Sequence, residues 1–209
     1  MRILLFGGFL GSGKTTTMLQ VAKYLTAVRQ ESVAIIENEV GAAGIDDKLF
    51  ADSGLKVKQL FGGCVCCQIT SDLISAIEEI YTTISPEWLL IEVTGLAYPS
   101  KTAKEIKKYS TVYSAFKTVT LVDRGRWSEM KAMLEPLVVG QVSGSDLIVV
   151  NKVDLSGEDP QKIIKDLQEI DAQIKVVMAS AAQELPLTVL KELVYCEQQV
   201  LPQKKAVVW

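Results

Sequence analysis

The sequence contains no histidine. That removes imidazole, the side chain that most often switches charge near neutral pH, from every mechanism and metal site open to the chain. Neither sign of charge is in large surplus, with 22 Lys+Arg against 25 Asp+Glu. With no long basic run, no nucleic-acid partner and no membrane partner is expected. The group Lys101, Lys104, Lys107 and Lys108 reads as the solvated face of one helix. Long apolar runs are missing too. The first one, Ile3–Phe6, breaks at Gly7-Gly8, and no later stretch is long enough to span a bilayer. No signal peptide is expected ahead of Arg2. Cysteine is scarce, at four in 209 residues. Three of the four fall within Cys64–Cys67, whereas a secreted disulfide framework would spread them out. The clustering points to a thiolate metal site or redox chemistry in a reducing compartment, and so to a cytoplasmic location. Cys196 stands alone on a predicted helix and reads as core packing.

What is present is a large apolar fraction, 48%, enough for a sizeable core. The length favours one domain, placed at 1–201, followed by a tail at 202–209. Short β-branched runs alternate with helical patterns. The predicted strands are Arg2–Phe6, Val33–Glu37, Lys56–Leu60, Trp88–Val93, Lys117–Val122, Asp146–Val150 and Ile174–Met178. Between them, Met18, Ala22 and Leu25 share one helix face, as do Leu73, Ile77 and Ile80, and later Ile163, Leu167 and Ile170. The helical pattern over Ser100–Tyr109 is weaker. Continuously apolar strands alternating with helices imply an α/β fold, a mostly parallel sheet with helices on both faces.

Gly8-Phe-Leu-Gly11-Ser12-Gly13-Lys14-Thr15 has the Walker A spacing, follows an apolar strand and opens a helix, as a P-loop NTPase fold requires. Its glycines let the backbone curl so that N–H groups face phosphate oxygens, and the helix N-terminus adds positive potential. Lys14 is expected to contact the β- and γ-phosphates and Thr15 to ligate Mg²⁺, with Thr16 beside them. Farther on, Asn151-Lys152-Val153-Asp154 ends a strand. A carboxylate at Asp154 can accept from guanine N1–H and the 2-amino group, a donor pair that adenine lacks. Asn151 would brace the loop, the Lys152 stem would cover the ring, and Ser180 and Ala181 would complete the pocket through backbone N–H groups.

In a parallel sheet the C-terminal strand ends share one edge, where ligands bind. The polar clusters of this sequence all follow predicted strands: the P-loop, Glu37-Asn38-Glu39, Gly62-Gly63-Cys64, Glu92–Gly95, Asp123, Asn151 and Ser180. Glu92 is suited to hold Mg²⁺ directly or through water, and Gly95 to offer its N–H to the γ-phosphate and move when that group leaves. Asp46 is the candidate for ordering the attacking water or the Mg²⁺ shell. Asp123 alternatively caps the next helix. The thiolates of Cys64, Cys66 and Cys67 need a cation to neutralise them and suit Zn²⁺ and related ions. A redox pair or buried apolar cysteines are the alternatives.

Taken in order, Gly8–Thr15, Glu37–Gly41 with Gly44-Ile-Asp46, Gly63–Cys67, Glu92–Gly95 with Leu96–Pro99, Val119–Asp123 and Asn151–Asp154 resemble the CobW-like metal-chaperone P-loop GTPases. Those are relatives of the nickel-insertion GTPases of urease and hydrogenase maturation. The resemblance covers nearly the whole chain. It implies slow GTP hydrolysis coupled to metal delivery, with Zn²⁺ or Co²⁺ as cargo, in zinc homeostasis, cobalamin-related cobalt insertion or other metalloprotein maturation. The partners expected are GTP, a transition metal ion and a client metalloprotein, with a nucleotide-dependent homodimer as an assembly option. Many members carry a second, C-terminal domain, and this sequence stops where it would begin. Many carry histidine-rich storage segments, and this one has none. A nucleotide-gated adaptor without metal transfer and a P-loop small-molecule kinase are the competing functions. Asn151–Asp154 argues against the kinase.

Overall fold

Residues of alternating parity along the strands face opposite sides of one sheet, and both sides are covered. In the computed structural model, which describes residues 1–37, 56–59 and 66–196, with 56–59 and 66–70 described by backbone alone, seven strands pair in a single parallel sheet. They are β1 (Arg2–Gly8), β2 (Val33–Glu37), β3 (Lys56–Gln59), β4 (Trp88–Glu92), β5 (Ala115–Asp123), β6 (Leu147–Asn151) and β7 (Val176–Met178). The order across the sheet is β3-β2-β4-β1-β5-β6-β7. The helices are α1 (Lys14–Lys23), α2 (Cys66–Thr83), α3 (Pro99–Tyr109), α4 (Trp127–Val142), α5 (Pro160–Ile170) and α6 (Leu187–Val194).

On one face, Leu4, Phe6, Ile35, Leu90, Leu121 and Val149 pack against α1, the π-helical turn Tyr24–Val28 that continues it, and α6, where Met18 and Ala22, then Leu25, then Leu193 are fully buried. On the other, Ile3, Leu5, Ala34 and Ile91 meet Leu73, Ile77 and Ile80 of α2 and Ile106 of α3. Beyond them Val122, Ile148 and Val150 meet α4 and α5, including Ile163 and Leu167. Each Val, Leu, Ile, Phe or Met side chain so buried contributes about 1.5–3 kcal/mol of hydrophobic transfer. The faces anticipated for α1, α2 and α5 are therefore the packed ones, with Ile170 only partly buried at the end of its stripe.

The element limits shift where pairing or turns override local pattern. Strand β5 runs longer at both ends than expected because β1 pairs with it from Ala115 and β6 pairs with it up to Asp123. Strand β7 starts later than Ile174, since a turn takes that residue: the Ile174 N–H donates to the Asp171 carbonyl at 3.1 Å. Helix α3, only weakly signalled, buries Ala103 and Ile106 while its lysines lie outward, with Lys101 over the Tyr98 ring and Lys107 over Phe116. Cys196 corrects an expectation. It lies beyond the end of α6 rather than on a helix, and it packs partly buried against the α1–α6 core.

Helix α4 is bent. Leu134 has φ −135° and ψ 36°, and Pro136 follows inside the helix. Pro136 has no N–H to donate to the preceding turn, and its ring crowds that turn's carbonyl. Among the described residues no helix is long and apolar enough to cross a membrane.

Candidate functional site

Three glycines shape the loop between β1 and α1. Gly8, Gly11 and Gly13 all have positive φ, at 124°, 75° and 96°. At Gly13 a Cβ would also fall 2.2 Å from Asn151 Nδ2, so only glycine lets the two loops touch. Gly13 is the N-cap of α1, and no side chain caps that helix. Its first-turn N–H groups are thus left for a ligand, and the helix dipole favours an anion there.

Lys14 and Thr15 converge on Glu92 at the end of β4. The Thr15 hydroxyl donates to Glu92 Oε2 at 2.8 Å. The Lys14 ammonium lies 3.7 Å from Glu92 Oε1 and donates to the Phe9 carbonyl at 3.3 Å. Lys14 and Glu92 are 4% and 2% exposed, so this ion pair is only weakly screened by salt. A hydroxyl and a carboxylate side by side are hard oxygen donors, a set that suits Mg²⁺.

The Asn151 loop is tied to the P-loop. The Asn151 amide donates to the Ser12 carbonyl at 2.8 Å and accepts from the Ala181 N–H at 2.9 Å. Through that second bond the Ala181 N–H braces Asn151 at the edge of the cleft. Ser180 donates its hydroxyl to Asp154 Oδ1. Lys152 adopts φ 64° and pairs with Asp123 Oδ2 at 2.7 Å. Asp123 also takes the capping role, accepting from Gly125 N–H at 2.9 Å.

Between these loops lies an open cleft of ≈ 450 Å³, bounded by Gly11, Gly13, Lys14, Thr15, Thr16, Glu92, Asn151, Lys152, Asp154 and Ala181. Leu10, Leu155 and Ala182, not singled out by motif, line it as well. Gly8, Ser12, Gly95 and Ser180 are not among the lining residues. Gly8 packs on the Leu121 backbone, and Gly95 sits against Leu10 N, where a Cβ would approach to 2.6 Å.

Three supporting residues carry no motif signal. Gln20 donates to the Ala181 and Gln183 carbonyls, both at 2.7 Å, and accepts from Leu185 N–H at 2.8 Å. It holds the 181–185 loop onto α1. Gln141, buried on α4, donates to the Gly95 and Ala97 carbonyls at 2.8 and 3.1 Å. Arg124 donates to three carbonyls of the loop after β6. A polar residue on a helix reads as solvent-facing until its distant partner is seen.

Asp46 and Cys64 lie outside the described residues, as do the Glu37–Asp46 segment beyond Glu37 and the 202–209 tail. Cys66 and Cys67 open α2, which follows β3. Strand β3 stands three positions from β1, on the order of 14 Å away at ordinary strand spacing.

A parallel sheet with a glycine loop, an uncapped helix N-terminus and a buried Lys–Glu pair at one strand edge defines a P-loop nucleotide-binding protein. Within that class the chain belongs to the family whose model is described as CobW/HypB/UreG, nucleotide-binding domain, which matches residues 2–178. This is a family of P-loop GTPases. The chain is 29% identical over 182 residues to the zinc chaperone YjiA of Escherichia coli, covering 83% of this chain and 56% of that one. It is 31% identical over 166 residues to the zinc chaperone YeiR of the same organism, covering 78% and 50%. It therefore spans roughly half the length of these relatives. Its fold matches the Zn(II)-bound YjiA GTPase with a TM-score of 0.64 at 24% identity, over 91% of this chain and 60% of that one. The nickel complex of HypB from Helicobacter pylori matches with a TM-score of 0.62 at 16% identity, over 92% and 83%.

Proposed function

We propose that this domain binds GTP with Mg²⁺, hydrolyses it slowly, and uses the cycle to hold and release a transition metal ion for a client metalloprotein. The observation that carries the nucleotide half is the single cleft bounded by Lys14, Thr15, Glu92, Asn151 and Asp154. Lys14 and the α1 amides would bind the β- and γ-phosphates, and Gly8, Gly11, Ser12, Gly13 and Thr16 would shape or line their cradle. Thr15 and Glu92 would hold Mg²⁺, which would draw off charge developing on the phosphate oxygens. Asp154 would accept from the guanine edge, its orientation set by Ser180, while Lys152 covers the ring and the Asn151–Ala181 bond fixes the loop. Gly95 would offer its N–H to the γ-phosphate, and Asp46 would orient the attacking water.

The metal half is supported by Cys66 and Cys67 at the start of α2, by Cys64 two positions earlier in the sequence, and by relatives named as zinc chaperones. Soft thiolates suit Zn²⁺ above Mg²⁺, with Co²⁺ a second cargo of fitting chemistry. Loss of the γ-phosphate would release the Gly95 loop and the Glu37–Asp46 segment and so loosen the thiolate site.

The test of the nucleotide half is a competition titration with Mg²⁺ fixed, followed by turnover. GTP displacing a labelled guanine nucleotide far better than ATP, with phosphate released from GTP, is the expected result. Equal displacement by ATP, or no phosphate release in the presence of metal and a client, would overturn it.

A further inference from the structure

We infer that Arg124, immediately after β5, sustains guanine selectivity by fixing the backbone on both sides of Asp154, whose carboxylate Ser180 orients, without touching the nucleotide. This rests on the guanine assignment of Asn151–Asp154 made above. The Arg124 guanidinium spends its donors on one loop: Nε on the Glu158 carbonyl, and one terminal nitrogen on the carbonyls of Val153 and Leu155, each at 2.9 Å. The Val153 carbonyl belongs to the peptide that enters Asp154. The Leu155 carbonyl belongs to the peptide one residue beyond it. Both sides of Asp154 are thereby fixed to a single planar cation.

Two further observations place the same strand end under this loop. A Cβ on Gly157 would fall 2.9 Å from Gly125 Cα and 3.1 Å from the Arg124 carbonyl, so the loop rests directly on the 124–125 backbone. Asp123, the neighbouring residue, takes the Lys152 ammonium at 2.7 Å. It holds in place a non-glycine residue whose φ of 64° is intrinsically unfavourable. Asp123 thus grips the loop one residue after Asn151, and Arg124 grips it around Asp154.

A carboxylate discriminates between bases only if it is held where the guanine N1–H and 2-amino group arrive. A displaced carboxylate can reach water instead and loses the penalty it imposes on the wrong base. Arginine suits the task because its five donors lie in one rigid plane, whereas a lysine presents a single flexible ammonium.

The experiment measures dissociation constants of wild type, Arg124→Met and Arg124→Lys for GTP, ITP, ATP and inorganic tripolyphosphate. ITP lacks the 2-amino group, and tripolyphosphate reports the phosphate cradle alone. In Arg124→Met the GTP affinity should fall about tenfold and the GTP-over-ITP preference should collapse, with tripolyphosphate affinity unchanged. Arg124→Lys should lie between. An unchanged GTP-over-ITP ratio in both variants would overturn the proposal. So would equal losses for GTP and tripolyphosphate, which would mark Arg124 as merely structural. A wild type that does not prefer GTP over ATP would overturn the guanine assignment itself, a separate outcome.

Discussion

The Thr15 hydroxyl donates to Glu92 Oε2 across 2.8 Å, joining the first turn of α1 to the end of β4 over 77 residues of sequence. With Lys14 on the other carboxylate oxygen at 3.7 Å, Glu92 ties together the groups proposed to handle phosphate and Mg²⁺. Glu92→Gln keeps the shape and removes the charge. Turnover of GTP should fall about 100-fold, equivalent to roughly 2.7 kcal/mol of barrier, and half-maximal activity should need more Mg²⁺. A Mg²⁺ titration of phosphate release checks this. Wild-type turnover at wild-type Mg²⁺ demand would count against the role.

Asp154 offers two carboxylate oxygens, one of them already oriented by Ser180. Asp154→Asn replaces an acceptor pair by one acceptor and one donor group, mismatched to guanine and better matched to the C2 carbonyl of xanthine. GTP binding should weaken by roughly 1.5–3 kcal/mol, and XTP should gain relative to GTP. Competition between the two triphosphates reads this directly, and an unaltered preference would remove Asp154 from the base site.

Gln20 stitches α1 to the 181–185 loop with three hydrogen bonds. Gln20→Leu leaves two carbonyls and one N–H without it. Because that region is partly exposed and water can replace some of the loss, the cost should be about 1–2 kcal/mol. The urea midpoint should drop by the corresponding amount with an unchanged slope. GTP affinity should fall as well, since Ala181 in that loop holds Asn151. A loss of stability with full GTP affinity would show that the loop does not support the base site.

Burial raises the Cys196 thiol pKa from 9.0 to about 11. Raising a thiol's pKa keeps it protonated, and so unreactive, to higher pH. At pH 8 its thiolate fraction should be roughly 100-fold below that of an unperturbed thiol. In a variant with Cys64, Cys66 and Cys67 changed to serine, alkylation should be slow at pH 8 and accelerate steeply up to about pH 11. Rapid labelling at pH 8 in the native state would contradict the buried placement.

The strands and the phosphate loop were legible because their signals are local. Val33–Ile36 and Trp88–Ile91 are continuous apolar runs, each closed by a glutamate, and Gly8, Gly11 and Gly13 mark the positions where φ turns positive. The Asn151–Asp154 loop was legible as a motif, but its support was not. Ser12 and Ala181 meet Asn151 through space across 139 and 30 residues, and no periodicity encodes such pairs. Gln20, Gln141 and Arg124 were missed for the same reason. The weak signal for α3 reflects its composition: lysines fill the outward face and only Pro99, Ala103 and Ile106 are buried. The bend in α4 was visible in principle at Pro136, where the helix cannot complete its hydrogen-bond ladder.

The central claim is that metal on the cysteines and GTP in the cleft report to each other across the sheet edge. Its most direct test is a titration of a non-hydrolysable GTP analogue at several Zn²⁺ concentrations, with Mg²⁺ fixed. Saturating Zn²⁺ should tighten the analogue by about 5–150-fold, and by reciprocity the analogue should tighten Zn²⁺ by the same factor. Cys66→Ser should lose that coupling while keeping metal-free GTP affinity. Nucleotide affinity that stays constant across Zn²⁺ concentrations shown to fill the thiolate site would contradict nucleotide-gated metal delivery.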